Sequence, residues 1–148
     1  MKRILAAIDF SATTDLVLEQ AAQLALAFQA PITVLHVVEP EPDFVGFEPG
    51  PEVVRQAVAR DFVAERNRLH QLRDALELRL GGLECGALQV QGPSAAKIVE
   101  AAERLGAGLI VLGSHGHGAL YHLLVGSVAE SVLRKARVPV VVVPASPV

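Results

Sequence analysis

The sequence predicts an α/β fold: a doubly wound, five-stranded parallel sheet in the order 3-2-1-4-5 with helices on both faces. Three observations lead there. Short, β-branched apolar runs alternate along the chain with segments whose apolar residues recur at helical spacing, the signature of strands joined by helical crossovers. The clearest strand runs, such as Ile32 to Val38 and Val138 to Val143, are almost continuously apolar, as strands covered on both faces are. The chain has 148 residues, 51% hydrophobic and 20% charged, which suits one domain over residues 1–148 with one packed interior and excludes a disordered chain.

The first strand is Arg3 to Ile8. Ser11, Thr13 and Thr14 then offer N-cap hydroxyls to a helix of about four turns, on which Val17, Ala21, Leu24 and Phe28 share a face. It ends near Ala30-Pro31, and Ile32 to Val38 is the second strand. From Glu39 to Glu52 the regular pattern fails, because Pro40, Pro42, Pro49, Pro51, Gly46 and Gly50 interrupt it. Glu39, Glu41, Asp43, Glu48 and Glu52 keep it polar, so it reads as a solvated lid. Val54, Val58, Phe62, Leu69, Leu72, Leu76 and Leu80 mark the longest helix, which Gly81-Gly82 stops. Leu83 to Gln91 is a third strand, weakened by Gly86. Ser94 caps a helix carrying Ile98, Ala102 and Leu105, and Gly106 terminates it. Gly108 to Leu112 is the fourth strand and Gly113 to Gly126 a glycine-punctuated loop. Ser127 to Ala136 is helical, and Val138 to Val143 completes the sheet.

Composition removes several classes of function. Thirteen Lys+Arg against sixteen Asp+Glu give a net charge of −3, without the positive field that draws a protein to nucleic acid or anionic lipid. The apolar run after Lys2-Arg3 is interrupted by Asp9, short of the ~7–15 residues of a signal core. No stretch approaches the ~18 apolar residues of a membrane span. The single cysteine, Cys85, has no partner for an internal disulfide or a zinc cluster. A cytoplasmic protein without nucleic-acid or membrane partners is expected.

The strand order makes a geometric prediction. The sheet reverses direction of winding between strands 1 and 4, so a ligand crevice belongs at their C-terminal ends, where Asp9 and Gly113 sit. Gly113 to Ser127 follows a strand and opens a helix, the setting in which missing Cβ atoms and a helix N-terminus hold phosphate. The loop lacks the Gly-Lys-Ser/Thr ending of a lysine-centred nucleotide loop, and no Gly-x-Gly-x-x-Gly follows the first strand.

Gly113-x2-Gly116-x9-Gly126-Ser127 matches the ATP-binding pattern of the universal stress protein family, and the chain resembles that family beyond these glycines. The resemblance includes Ile8-Asp9-Phe10-Ser11, Leu35-His36-Val37-Val38, Gly92-Pro93-Ser94 and Leu109 to Gly116. Leu124-Val125-Gly126-Ser127-Val128-Ala129-Glu130 and the closing Val138 to Val143 extend it over nearly the whole chain. It implies a Rossmann-like fold of the adenine nucleotide alpha hydrolase kind, a cytoplasmic setting and ATP, with Mg²⁺ where phosphoryl chemistry occurs. Asp9 and Val37 would lie at the adenine and ribose end. Gly113, His115, Gly116, Gly126 and Ser127 would face the phosphates, with Leu112 and Val128 beside them. His117 stands where many relatives carry Arg; a neutral imidazole is a weaker phosphate partner, which would make affinity lower or pH-dependent.

Other readings stand beside these. Asp9 could cap the first turn of the helix that follows. His115, His117 and His122 could suggest a metal site, but no further Cys, His or carboxylate partner is specified. His36 reads as a hydrogen-bonded core histidine and Cys85 as structural. The last strand, bare at a sheet edge, would invite aggregation, and relatives pair it with its copy in a homodimer. Three functions follow: a nucleotide-responsive stress regulator, a slow ATP hydrolase, and an ATP-independent dimeric scaffold.

Overall fold

A computed structural model describes residues 2–39, 52–115 and 125–145, with 52–58 as backbone only. The chain runs β1 (Arg3–Ile8), α1 (Thr14–Phe28), β2 (Ile32–Val38), α2 (Glu52–Glu77), β3 (Cys85–Gln91), α3 (Ser94–Leu105), β4 (Ala107–Gly113), α4 (Ser127–Lys135) and β5 (Val140–Val143). All strand pairs are parallel and the sheet order is β3-β2-β1-β4-β5, as expected from the sequence.

The pleat sorts the apolar runs into two cores. Ile4, Ala6 and Ile8 of β1, with Ile32 and Val34 of β2 and Leu109 and Val111 of β4, face α1 and α2. Leu5, Ala7, Leu35, Ile110 and Leu112 face α3 and α4, meeting Ile98, Ala102, Ala129 and Val132. Successive residues therefore alternate between two apolar environments, which is why the middle of β1 and of β4 carries no polar residue; in β2, Thr33 and His36 are buried with hydrogen-bond partners, Arg3 and Gln89.

Three helix ends differ from the sequence reading. Thr13 is the N-cap of α1 but makes no side-chain capping bond; its hydroxyl is used elsewhere. Ser94 is the first residue of α3, with Pro93 at the N-cap, and the Ser94 N–H donates to the Glu39 carboxylate at 3.2 Å. A carboxylate from the end of β2 thus takes the capping place, where the helix's N-terminal partial charge favours it. Helix α2 stops at Glu77, before the glycines, yet the turn that follows still buries Leu80. Gly81 and Gly82 both have positive φ, 57° and 96°, and turn the chain toward β3.

Burial raises the Cys85 thiol to about 11, with Glu77 adding to the effect, so the thiolate is scarce at neutral pH. Native protein should consequently resist a thiol-specific disulfide reagent at pH 7.5 and react fully after unfolding. Rapid labelling of the folded chain would contradict a structural role. Among the described residues, no helix is long and apolar enough to cross a membrane.

Candidate functional site at the sheet switch point

Strand β1 ends at Ile8, and the next three residues turn sharply before α1. Phe10 adopts φ 60°, a left-handed conformation that costs a non-glycine residue about 1–3 kcal/mol. The turn is held by Asp9, whose Oδ1 accepts the Ser11 N–H at 3.0 Å. This contact serves the Ser11 N–H rather than the first N–H groups of α1, so it is not the helix cap weighed for Asp9. Asp9 itself is exposed at the C-terminal end of β1.

On the other side of the switch, β4 ends at Gly113. Ser114 is buried; its N–H donates to Val143 O of β5 at 2.8 Å, and its Oγ lies 3.0 Å from His115 Nδ1. The Gly126 N–H returns to Ser114 O, so the two ends of the glycine-punctuated loop are fastened together. Glycine is required there for space rather than for conformation. Its φ is −72°, open to any residue, but an added Cβ would lie 2.9 Å from Ser114 O and 3.5 Å from His115 Cα. Gly113 is similarly confined: a Cβ would lie 2.8 Å from Thr13 Oγ1.

The two halves of the crevice are joined by hydroxyls. Ser11 Oγ is 2.9 Å from Thr13 Oγ1, and the Thr13 hydroxyl donates to His115 O at 3.2 Å. Each hydroxyl has one proton, so Thr13 gives its own to His115 and accepts from Ser11. Thr13 and Ser114 are site residues that the sequence reading did not single out. Thr13 was legible only as a cap candidate, because its partner lies 102 positions away.

Helix α4 starts beside this junction. Its first intrahelical bond runs from the Glu130 N–H to Gly126 O at 2.9 Å. The N–H groups of Ser127, Val128 and Ala129 precede that bond and are offered to an acceptor at the helix N-terminus. Ser127 and Val128 are exposed there. No Lys or Arg occurs from Gly113 to Ser127, so backbone dipoles and neutral side chains must supply any attraction for an anion.

The nominated residues are thus distributed in three ways. Gly113, His115, Gly126 and Ser127 converge at the crevice around Thr13 and Ser114. Val37, half-buried at the end of β2, packs on the α3–α4 side, and Leu112 is buried in that same core. Gly116, His117 and His122 lie outside the described residues, as does most of the acidic segment after Glu39. His36 is buried, with Nδ1 3.3 Å from Gln89 Oε1, in keeping with a hydrogen-bonded core histidine.

A helix N-terminus and a cluster of hydroxyls are groups able to bind phosphate oxygens, and a carboxylate such as that of Asp9 is able to accept from sugar hydroxyls or an exocyclic amino group.

Comparison with known proteins identifies the family and the fold. The sequence model of the Universal stress protein family matches residues 1–144. A universal stress protein of Thermus aquaticus is 34% identical over 142 residues, covering 96% of this chain and 98% of the relative. The solved structure of MJ0577, a universal stress protein of Methanocaldococcus jannaschii, superposes with TM-score 0.82 at 28% identity, covering 99% of this chain and 98% of that one. More distantly, a universal stress protein of Archaeoglobus fulgidus solved in complex with dAMP shares the fold, with TM-score 0.65 and 22% identity over 96% of both chains.

Proposed function

Because the chain belongs to the universal stress protein family, we propose that it binds an adenine nucleotide, ATP, at the C-terminal ends of β1 and β4 and acts in the cytoplasm as a stress-response regulator whose loops respond to that ligand. The observation that carries this reading is the fastening of Gly126 to Ser114 and of Thr13 to His115. It brings the open N–H groups of α4 and the Asp9 turn to one crevice, at the place where parallel sheets of this winding bind ligands. Asp9 and Val37 form the adenosine end. Gly113, His115, Gly116, Gly126 and Ser127 form the phosphate end, with Leu112 and Val128 as its walls. A relative with the same fold was solved in complex with dAMP, which supports an adenine nucleotide as the class of ligand.

Isothermal titration with ATP and Mg²⁺, and in parallel with ADP, AMP and cAMP, tests the reading. The expected result is an ATP Kd of about 1–10 μM, or roughly −7 to −8 kcal/mol. Absence of heat with every nucleotide, together with no nucleotide released from denatured protein, would overturn it. A timed ADP-release assay then separates a binding protein from a slow hydrolase.

The sheet edge supports a homodimer as part of this proposal. Strand β5 is at one edge, and Val140, Val141 and Val142 are only half-buried in the single chain. Two-fold pairing of this edge with its copy covers both the hydrogen-bonding groups and the valines. Light scattering at about 50 μM is expected to report twice the 15.6 kDa chain mass. A strictly monomeric species would remove the dimer.

A further inference from the structure

We infer that Arg68 of α2, acting through Phe10, is a positioning residue for the adenosine end of the crevice. This inference rests on the proposed nucleotide site and adds a helix that contributes none of its assigned residues.

Phe10 lies between Asp9 and Ser11, and its left-handed backbone is the hinge of the β1–α1 turn. A bulky residue keeps that conformation only where its surroundings hold it. Here the ring is held from two sides. The His36 ring is 4.5 Å away at an interplanar angle of 50°, and the Arg68 guanidinium carbon stands 4.6 Å from the ring centroid. The distance to Arg68 is that of a cation–π contact.

His36 in turn is fixed by its neighbours. Gln89 Oε1 of β3 lies 3.3 Å from its Nδ1, while Gln89 Nε2 donates to Phe62 O of α2 at 3.0 Å. Glu65 of α2 approaches the same nitrogen at 3.9 Å. Helix α2 therefore approaches the Phe10–His36 pair directly through Glu65 and Arg68, and through Gln89 at the Phe62 carbonyl. The ring's place sets the direction of the flanking backbone. The Asp9 carboxylate is tied to the Ser11 N–H, Ser11 Oγ to Thr13, and Thr13 to the glycine loop at His115. A displacement of α2 would pass through this chain of contacts to Asp9.

The test compares wild type, Arg68→Ala and Arg68→Lys in two measurements. The first is amide hydrogen exchange at Ser11 in nucleotide-free protein, which reports the Asp9 turn without any ligand. The second is the Kd for ATP, AMP and adenosine. Loss of an exposed cation–π contact is expected to change Ser11 exchange and all three Kd values by about two- to five-fold. The factor should be similar for the three ligands, because the phosphate end is untouched. Lysine, which keeps a cation over the ring, should restore both measurements. Unchanged Ser11 exchange in Arg68→Ala, or faster exchange with unchanged affinities, would overturn the inference. A loss confined to ATP would do the same, since it would place Arg68 at the phosphates. Wild-type protein that binds none of the ligands would refute the nucleotide site itself, and this inference with it, before any substitution is read.

Discussion

Replacing Gly126 by valine is expected to abolish ATP binding while preserving the sheet. The smallest side chain already collides, since a Cβ would stand 2.9 Å from the Ser114 carbonyl oxygen. That oxygen is backbone and accepts the Gly126 N–H, so neither partner can rotate away. The end of β4 and the start of α4 must separate instead, and valine's two further methyl groups widen the gap. Separation removes the alignment of the α4 N–H groups with the crevice, on which phosphate binding by a cation-free loop depends. The expected weakening in titration calorimetry is at least about 30-fold, corresponding to ~2 kcal/mol. Far-UV circular dichroism should stay native, because Gly126 lies outside every strand and before the first residue of α4. Normal ATP affinity in Gly126→Val would show that the phosphates bind elsewhere.

Leu5→Ala is expected to produce the largest loss of stability. Leu5 is fully buried at the centre of β1, paired with Thr33 on one side and Ile110 on the other, within the core under α3 and α4. Truncation removes apolar contacts and leaves a cavity that strands hydrogen-bonded on both sides cannot close, at a cost of about 2–5 kcal/mol. In urea this should lower the midpoint without a change of slope, and the melting temperature should fall by roughly 5–15 °C. ATP at about 100 times its Kd should restore ~2.7 kcal/mol, since Leu5 faces the core and not the crevice. Leu78→Ala is the control. Leu78 is 89% exposed, and its loss should change stability by less than about 0.5 kcal/mol. A variant at Leu5 as stable as that control would contradict the assignment of β1 as the central buried strand.

The same residues show how far reading the chain alone could reach. Leu5, Leu35 and Ile110 were legible as core because β-branched and aliphatic runs of this length, separated by helical patterns, pack in only a few ways. The strand order followed from the right-handedness of the crossovers. The place where the sheet reverses was also legible: Asp9 follows β1 and Gly113 ends β4 on either side of it, and Gly126-Ser127 opens the helix that follows. Ser94 was misassigned as a cap because cap chemistry is local in sequence, whereas Glu39 reaches that N–H from 55 residues away. Thr13 does occupy the N-cap position of α1, but its hydroxyl bonds His115 O, 102 positions away, instead of a helix N–H.

Periodicity, handedness and glycine placement, all properties of the chain taken locally, determined the elements, their winding and the place where the sheet reverses. Tertiary structure decided which side chains meet there. Thr13 meets His115, and Arg68 lies over Phe10 against His36, only after β1, β2 and β4 have found their register and α2 has settled on the sheet. Such contacts depend on the relative placement of distant segments to within about an ångström. No local pattern of residues encodes that distance; it arises from the simultaneous packing of both cores.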